Sequence, residues 1–294
     1  MEVDLNKFHG DTSGLHEALK IAARTNYRQT CVDFRDGILQ ESWHLNNEFL
    51  RLCGVGLTGI ATRPDLSDYD YSEMERVTTF AAYSMADELG LQRPKNVTCV
   101  KPSGSLSKIM DTTEGIHKPL GKYIFNNVTF GKYDPLVEKL RKANYNIINH
   151  PSDATAVVIT FPVKWDSVEF DIVDGVEVNL ESAIEQLERY KMVQNSWCHQ
   201  NVSNTISYSV DEVPAIIDWM LDNWESYIGV SFLYRADPTK TAKDLGYLYL
   251  PQEVTTKETW ESYAKTLLPV DVEGVAGFDE IEQDACATGA CPIR

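Results

Sequence analysis

Two stretches of the 294-residue chain hold side chains spaced to do chemistry. The first is the C-terminus, Asp284-Ala285-Cys286-Ala287-Thr288-Gly289-Ala290-Cys291-Pro292-Ile293-Arg294. Small residues separate Cys286 from Cys291, and Gly289 lets the backbone turn, so the two sulfurs can meet at disulfide distance. Such a pair can pass electrons by thiol–disulfide exchange. Two cysteines are only half of a tetrahedral zinc set, and no second close Cys or His pair accompanies them, so no metal is expected. Adventitious surface thiols remain an alternative, and a structural disulfide would staple only a tiny loop. The second stretch is Lys101-Pro102-Ser103-Gly104-Ser105-Leu106-Ser107. Pro102 favours a turn, and Gly104 permits a backbone conformation closed to other residues. The first N–H groups of a following helix lack internal partners and carry partial positive charge. Pro102, Ser103, Gly104, Ser105, Leu106 and Ser107 therefore form a candidate phosphate cradle. A serine-capped helix after a turn is the plainer alternative, and the Gly-Lys-Ser/Thr ending of a P-loop is absent.

The other cysteines, Cys31, Cys53, Cys99 and Cys198, stand singly in apolar surroundings and read as buried free thiols. Lys and Arg total 27 against 44 Asp and Glu, a formal charge of −17. Such a surface repels a nucleic-acid backbone, so polymeric DNA or RNA is not an expected partner. A phosphorylated small molecule must instead be held locally. No run of apolar residues is long enough to span a bilayer, and the N-terminus has no secretory pattern, so no membrane is expected and a cytoplasmic protein is the expectation.

The elements that must position these residues alternate between strand and helix. Leu15, Leu19 and Ala22 fall at helical spacing in a mainly helical opening of about 50 residues. Gly54 to Ala61 reads as a short buried strand. Met74, Val77, Ala81, Met85 and Leu89 mark an amphipathic helix that stops at Gly90, with Pro94 beyond. Asn96–Val100 reads as a strand before the phosphate loop. Further strands are expected over Thr155–Val163, Val202–Val210 and Gly229–Leu233. A helix over Glu181–Trp197 turns Ile184, Leu187 and Met192 inward. Asp211 is the expected cap of another, with Val213, Ile216, Ile217, Met220, Leu221 and Trp224 on one face and Pro214 in the first turn. Trp197, Trp219 and Trp224 read as core aromatics. Strand–helix alternation of this kind implies α/β architecture around a parallel sheet or barrel. From Asp271 to Asp284 the chain carries six acidic residues and no Lys or Arg, a composition suited to a mobile tether.

Several motifs in order resemble one family. They are Gly54-Val55-Gly56-Leu57-Thr58-Gly59, Val100 to Ser107 with Thr113-Glu114-Gly115-Ile116-His117, Asn201-Val202-Ser203, Gly229-Val230-Ser231-Phe232-Leu233, and the terminal Cys286 to Arg294. Together they look like the adenosylcobalamin-dependent (class II) ribonucleotide reductases, most closely the thioredoxin-linked triphosphate reductases, over essentially the whole chain. The resemblance implies the second half of a ten-stranded α/β barrel with a flexible C-terminal tail. Residues 1–235 would be the half-barrel with capping helices, 236–270 a peripheral segment, and 271–294 a mobile acidic tail. It implies that Pro102 to Ser107 bind the phosphates of a ribonucleotide, with triphosphates the expected substrates. It further implies that Cys286 and Cys291 relay electrons from thioredoxin to an active-site disulfide during thiyl-radical reduction to deoxyribonucleotides, with adenosylcobalamin as cofactor.

The sequence departs from the family in one respect. The Asn-Pro-Cys-Gly-Glu loop that carries the family's radical cysteine does not occur, and Met1 falls just beyond the expected place of a redox cysteine. The chain is therefore expected to be inactive without an N-terminal portion bearing that loop, either as part of a split reductase of the kind found in phages or as a truncated reading frame. Neither Cys31 nor Cys53 is reassigned a redox role; both read as core thiols. His117 reads as a loop-positioning residue and His199 as a local hydrogen-bonding one. A non-catalytic thiol-relay or interaction protein is the reading from another class.

Overall fold

In a computed structural model of the chain, the described residues are 1–272, apart from 36, 236, 238 and 239. In chain order the elements are β1 (Glu2–Asp4), α1 (Thr12–Gln29), α2 (Glu41–Leu50), β2 (Val55–Thr58), α3 (Asp68–Glu88), β3 (Thr98–Cys99) and α4 (Leu106–Met110). There follow β4 (Tyr123–Gly131), α5 (Pro135–Lys142), β5 (Ile147–Asn149), β6 (Ala156–Lys164), β7 (Asp171–Val173) and β8 (Val176–Val178). The chain continues through α6 (Ala183–Ser196), β9 (Thr205–Tyr208), α7 (Val213–Asp222), β10 (Ser231–Tyr234), β11 (Gln252–Val254) and α8 (Lys257–Ala264). They fall into two compact units. One takes Met1–Pro119, Ser167–Glu169 and the stretch from Asn179 to Arg235; the other takes Leu120–Asp166, Phe170–Val178 and the described residues from Asp237 onward.

The first unit is built on parallel strands. β1, β2 and β3 pair side by side, and β9 pairs with β10. A parallel bridge from Val100 to Val202 joins the two sets, so the strand order is β1-β2-β3-β9-β10. Side chains alternate across such strands. Val3, Val55, Leu57, Val100, Val202 and Ile206 all turn to one face and enter a single core. That face is covered by Leu15 and Leu19 of α1, Met74 and Met85 of α3, and Leu187 and Val193 of α6. Alanines permit close helix packing: Ala22 and Ala23 on α1 and Ala81, Ala82 and Ala86 on α3 are all buried where these helices meet. Local chemistry starts the helices. Ser67 and Asp70 form a capping box on α3, as Ser182 and Glu185 do on α6.

The second unit is antiparallel, with strand order β11-β4-β6-β5 and a β7–β8 hairpin. Val137 and Leu140 of α5 pack on Val157 and Ile159 of β6. Pro162 lies in β6 beyond the stretch that β5 covers, so its missing N–H breaks no ladder bond.

Several expectations need correction. The strands are shorter than the apolar runs suggest: β2 stops at Thr58, because Gly59 takes a left-handed conformation (φ 73°) and a 3-10 turn follows. Val202 is a single bridge ahead of β9 rather than its first residue. Asp211 does not cap α7. It lies inside a 3-10 turn, Val210–Glu212, whose box is closed by Ser209 and Glu212, and α7 continues from there with Pro214 in its first turn. Only Ile216 and Trp219 of α7 are buried, and Trp224 is 70 % exposed, so it is not a core aromatic. Cys31 is exposed as well, unlike buried Cys53 and Cys99.

Trp197 is fully buried, and its indole N–H donates to Cys99 O at 2.8 Å, tying the end of α6 to β3. Replacing it by Phe removes that donor and part of the ring, which should lower stability by about 2–4 kcal/mol. Urea denaturation followed by circular dichroism would show this as a lower midpoint with an unchanged slope.

Candidate functional site

The opposite face of the parallel sheet is polar. Glu2, Gly56 and Cys99 lie in register across β1, β2 and β3, and Asp4 is level with Thr58. Gly54 and Lys101 fall on the same face by alternation, as do Asn201, Ser203, Thr205 and Ser207 on the β9 side. Parallel sheets usually bury two apolar faces. Here one face carries carboxylates, an ammonium group, a thiol and hydroxyls. Burial pushes the Asp4 carboxyl above its usual range, because a charge is costly out of water.

The loop after β3 folds back over this face. Ser107 N–H donates to Ser103 O at 2.9 Å, and Thr112 N–H donates to Ser107 O at 3.0 Å. The Thr113–Ile116 stretch then zips onto the end of β2. Thr58 Oγ1 donates to Thr113 O and accepts from Gly115 N–H, both at 2.9 Å, while Gly59 N–H donates to Thr113 O. Gly115 is at φ 50°, and a β-carbon there would stand 2.5 Å from Lys101 O. Only glycine fits that crossing. His117 carries the connection onward: its N–H donates to Glu114 O, and its Nε2 accepts from Thr205 N–H at 2.9 Å. Asn204 Nδ2 then donates to Gly229 O. The motifs that the sequence places far apart thus meet at one end of the sheet.

Among the expected phosphate residues, Ser103, Gly104, Ser105, Leu106 and Ser107 form one tight turn leading into α4. The left-handed residue is Ser103 (φ 54°), not Gly104. Gly104 is exposed and has open space where a side chain would go. Ser105 occupies the cap position of α4 without a side-chain cap bond, so the serine-capped reading does not describe this turn. Among the described residues, the N–H groups of Gly104, Ser105 and Leu106 have no acceptor. They are successive donors in a turn, a geometry suited to an anion. Pro102 precedes them and is exposed; Ser107 is fully buried, with its hydroxyl at 3.5 Å from Gly104 O.

Cys286 and Cys291 lie outside the described residues. Of the other thiols, burial pushes Cys53 and Cys198 up to about 12, and raises Cys99. Thiols held so far above neutrality are poor nucleophiles. His199 accepts from Val97 N–H on Nδ1 and meets Glu75 at 2.8 Å on Nε2, a local bracing role as expected. All four residues of β2 are buried, as expected for Gly54 to Ala61, and the alternation of Gly54, Gly56 and Thr58 with Val55 and Leu57 marks the polar face in the sequence.

No protein-family profile matches the chain. It is 28 % identical, over 74 % of its length, to the adenosylcobalamin-dependent ribonucleoside-triphosphate reductase of Lactobacillus acidophilus. With the reductase of the same description from Lactobacillus gasseri it is 26 % identical over 95 % of its length, and with that of Euglena gracilis 27 % over 84 %. Its curated homologues are adenosylcobalamin-dependent ribonucleoside-triphosphate reductases. The fold is that of a crystal structure of a B12-dependent (class II) ribonucleotide reductase, which matches with a TM-score of 0.75 at 20 % identity over 96 % of this chain. The chain spans only part of these relatives: 29 % of the L. acidophilus reductase, 41 % of the L. gasseri reductase, 34 % of the Euglena reductase and 41 % of the crystallised chain. Among the described residues, no helix is long and apolar enough to cross a membrane.

His117 gives the site a pH signature. Burial lowers its pKa below 6.5, and an Nε2 that accepts from Thr205 is unprotonated. The unfolded chain therefore takes up the proton first, and this residue's contribution to stability is complete above its unfolded pKa. As the pH falls from about 6.5 through the lowered folded value, that contribution is lost. In urea titrations stepped from about pH 7.5 to 5, His117→Gln should show a shallower loss of stability than the wild type. Identical slopes would refute the assignment.

Proposed function

We propose that this chain is the C-terminal part of a ribonucleotide reductase that converts ribonucleotides, preferentially triphosphates, to deoxyribonucleotides. One observation carries the reading. The turn Ser103–Ser107 presents successive unpaired N–H groups at the end of a parallel sheet that has one polar face. Ligands of open parallel sheets bind outside the carboxyl ends of the strands. A phosphate held by backbone N–H groups needs no basic surface, which agrees with a chain of charge −17. The order β1-β2-β3-β9-β10, with one face apolar and the other polar, suits half of a ten-stranded barrel whose interior is the reaction chamber.

In this reading, the backbone N–H groups of the loop Pro102-Ser103-Gly104-Ser105-Leu106-Ser107 hold the substrate's phosphates and so fix the ribose against the polar face. Cys286 and Cys291 supply two electrons and two protons to an active-site disulfide by thiol exchange, becoming a disulfide that thioredoxin or a similar reductant opens again. The missing wall, with the Asn-Pro-Cys-Gly-Glu loop, belongs to an N-terminal portion. Adenosylcobalamin, on which the relatives depend, would supply the radical chemistry in the assembled enzyme. Among the described residues no cluster of three or more His, Cys, Asp or Glu converges as a metal site would, and no residue of this chain is assigned to holding the cofactor.

Calorimetric titration of the purified chain with a ribonucleoside triphosphate tests the phosphate loop. Gly104→Leu is the control, because open space surrounds that position and the fold should tolerate the side chain. The leucine should cover the loop N–H groups and weaken binding at least about tenfold, or 1.4 kcal/mol. Co-expression with a portion bearing the Asn-Pro-Cys-Gly-Glu loop should restore thioredoxin-driven turnover, and replacing both Cys286 and Cys291 by Ser should abolish it. Absence of triphosphate binding, or turnover that survives loss of both thiols, would refute the reading.

A further inference from the structure

A lysine at the start of a phosphate loop invites the reading that it grips the phosphate. The surroundings of Lys101 speak otherwise. Its ammonium donates to Met1 O at 2.7 Å and to Gly54 O, and it lies 3.4 Å from Glu2 Oε1. An ammonium group has three N–H donors. Two are taken by carbonyls and the third faces a carboxylate.

Glu2 is the other half of this arrangement. Its side chain is 2 % exposed, and neither carboxylate oxygen has a hydrogen-bond donor among the described residues. Lys101 is its compensating charge. A buried carboxylate left without one is strongly destabilising. The pair lies across the polar face of β1, β2 and β3, and Gly56 makes room for it. A β-carbon at Gly56 would stand 2.5 Å from Glu2 Oε1, so a side chain there would displace the carboxylate, whereas one at Gly54 would meet Lys101 Cε at an ordinary 3.7 Å.

The geometry assigns Lys101 and Glu2 as positioning residues: a charge clamp that ties the origin of the phosphate loop to β1 and β2, with Lys101 spent on the protein rather than on phosphate. The clamp itself rests on contacts within the chain. Only its consequence for phosphate binding rests on the reductase reading, and the test keeps the two apart.

Hydrogen exchange reads the clamp without any nucleotide. The informative amides are Gly56, which donates to Met1 O, and Ser107, which donates to Ser103 O. Lys101→Met should raise exchange at both by about tenfold or more, while amides of the core helix α1 keep their protection. Glu2→Gln, of equal size, should do the same, and Gly56→Ala should mimic it by evicting the carboxylate. Lys101→Arg should restore protection, and combining Lys101→Met with Glu2→Gln should add little to either alone. Unchanged protection at Gly56 and Ser107 in both Lys101→Met and Glu2→Gln would overturn the clamp.

Titration with a ribonucleoside triphosphate at increasing salt forms the second arm. A clamp predicts that Lys101→Met weakens binding yet keeps the wild-type salt dependence, whereas a direct phosphate ligand would take part of that dependence with it. A flattened salt dependence in Lys101→Met overturns the assignment. A wild-type chain that binds no triphosphate overturns the reductase reading alone, and the exchange arm still decides the clamp.

Discussion

A parallel strand with one face buried against helices sends every second residue to its other face, and the need to cover what stands there organises the first unit. Val3, Val55, Leu57, Val100, Val202 and Ile206 draw the strands onto α1, α3 and α6. Their neighbours along the chain are then forced to the far side. There Glu2, Asp4, Thr58, Cys99 and Lys101 cannot all be left dry and unpaired, since unpaired buried polar groups are expensive. The chain answers by folding the stretch from Lys101 to His117 over them. Thr58 bonds both sides of Thr113–Gly115, and Lys101 meets Glu2. The loop is therefore not an appendage to the sheet. It is the cover that the polar face requires, and its shape follows from what it covers.

How much of this is legible in sequence depends on which force decides each position. Helices with a strong apolar stripe are readable because burial dominates: Leu15, Leu19, Met74, Met85 and Leu187 are all in the core. The β2 and β3 runs are readable as strands for the same reason. Reading fails where tertiary context outweighs local pattern. Ile217 and Leu221 of α7 and Trp224 just beyond its end fall on the expected stripe with Ile216, yet they are exposed, because periodicity states which residues are apolar and not what is present to cover them. Ser209, two positions before Asp211, forms a box with Glu212 and so moves the helix start. In the loop, Gly104 attracts attention as the permissive residue, but the backbone places its left-handed turn at Ser103 and needs glycine at Gly115, where Lys101 O passes close by. That requirement comes from a segment 14 positions earlier in the chain and leaves no local trace. The antiparallel sheet of the second unit is visible only through β6; β4 carries Asn126, Asn127 and Thr129 among its apolar residues, which blurs its pattern.

Charge and burial together narrow the chemistry. Under the proposed function, an overall charge of −17 leaves phosphate recognition to a few aimed donors, and the loop offers N–H groups. Lys101, which opens the loop, already has its three donors engaged or faced by protein oxygens. Recognition through the backbone, as proposed, depends on the path of the loop and on its N–H groups staying uncovered. The bonds from Thr58 to Gly115 and from Thr205 to His117 hold that path.

The same reasoning bears on the thiols. Dithiol exchange needs a thiolate that can leave the interior and a second sulfur within about 2 Å bonding distance of it. Cys53, Cys99 and Cys198 fail the first condition, because burial raises all three and holds Cys53 and Cys198 near 12. Cys31 is exposed but has no neighbouring cysteine in sequence. Of the chain's six cysteines only Cys286 and Cys291 are spaced to meet each other while following an acidic, glycine-containing stretch. If this chain handles electrons through its own sulfurs, the physical chemistry of the other four directs that task to its end.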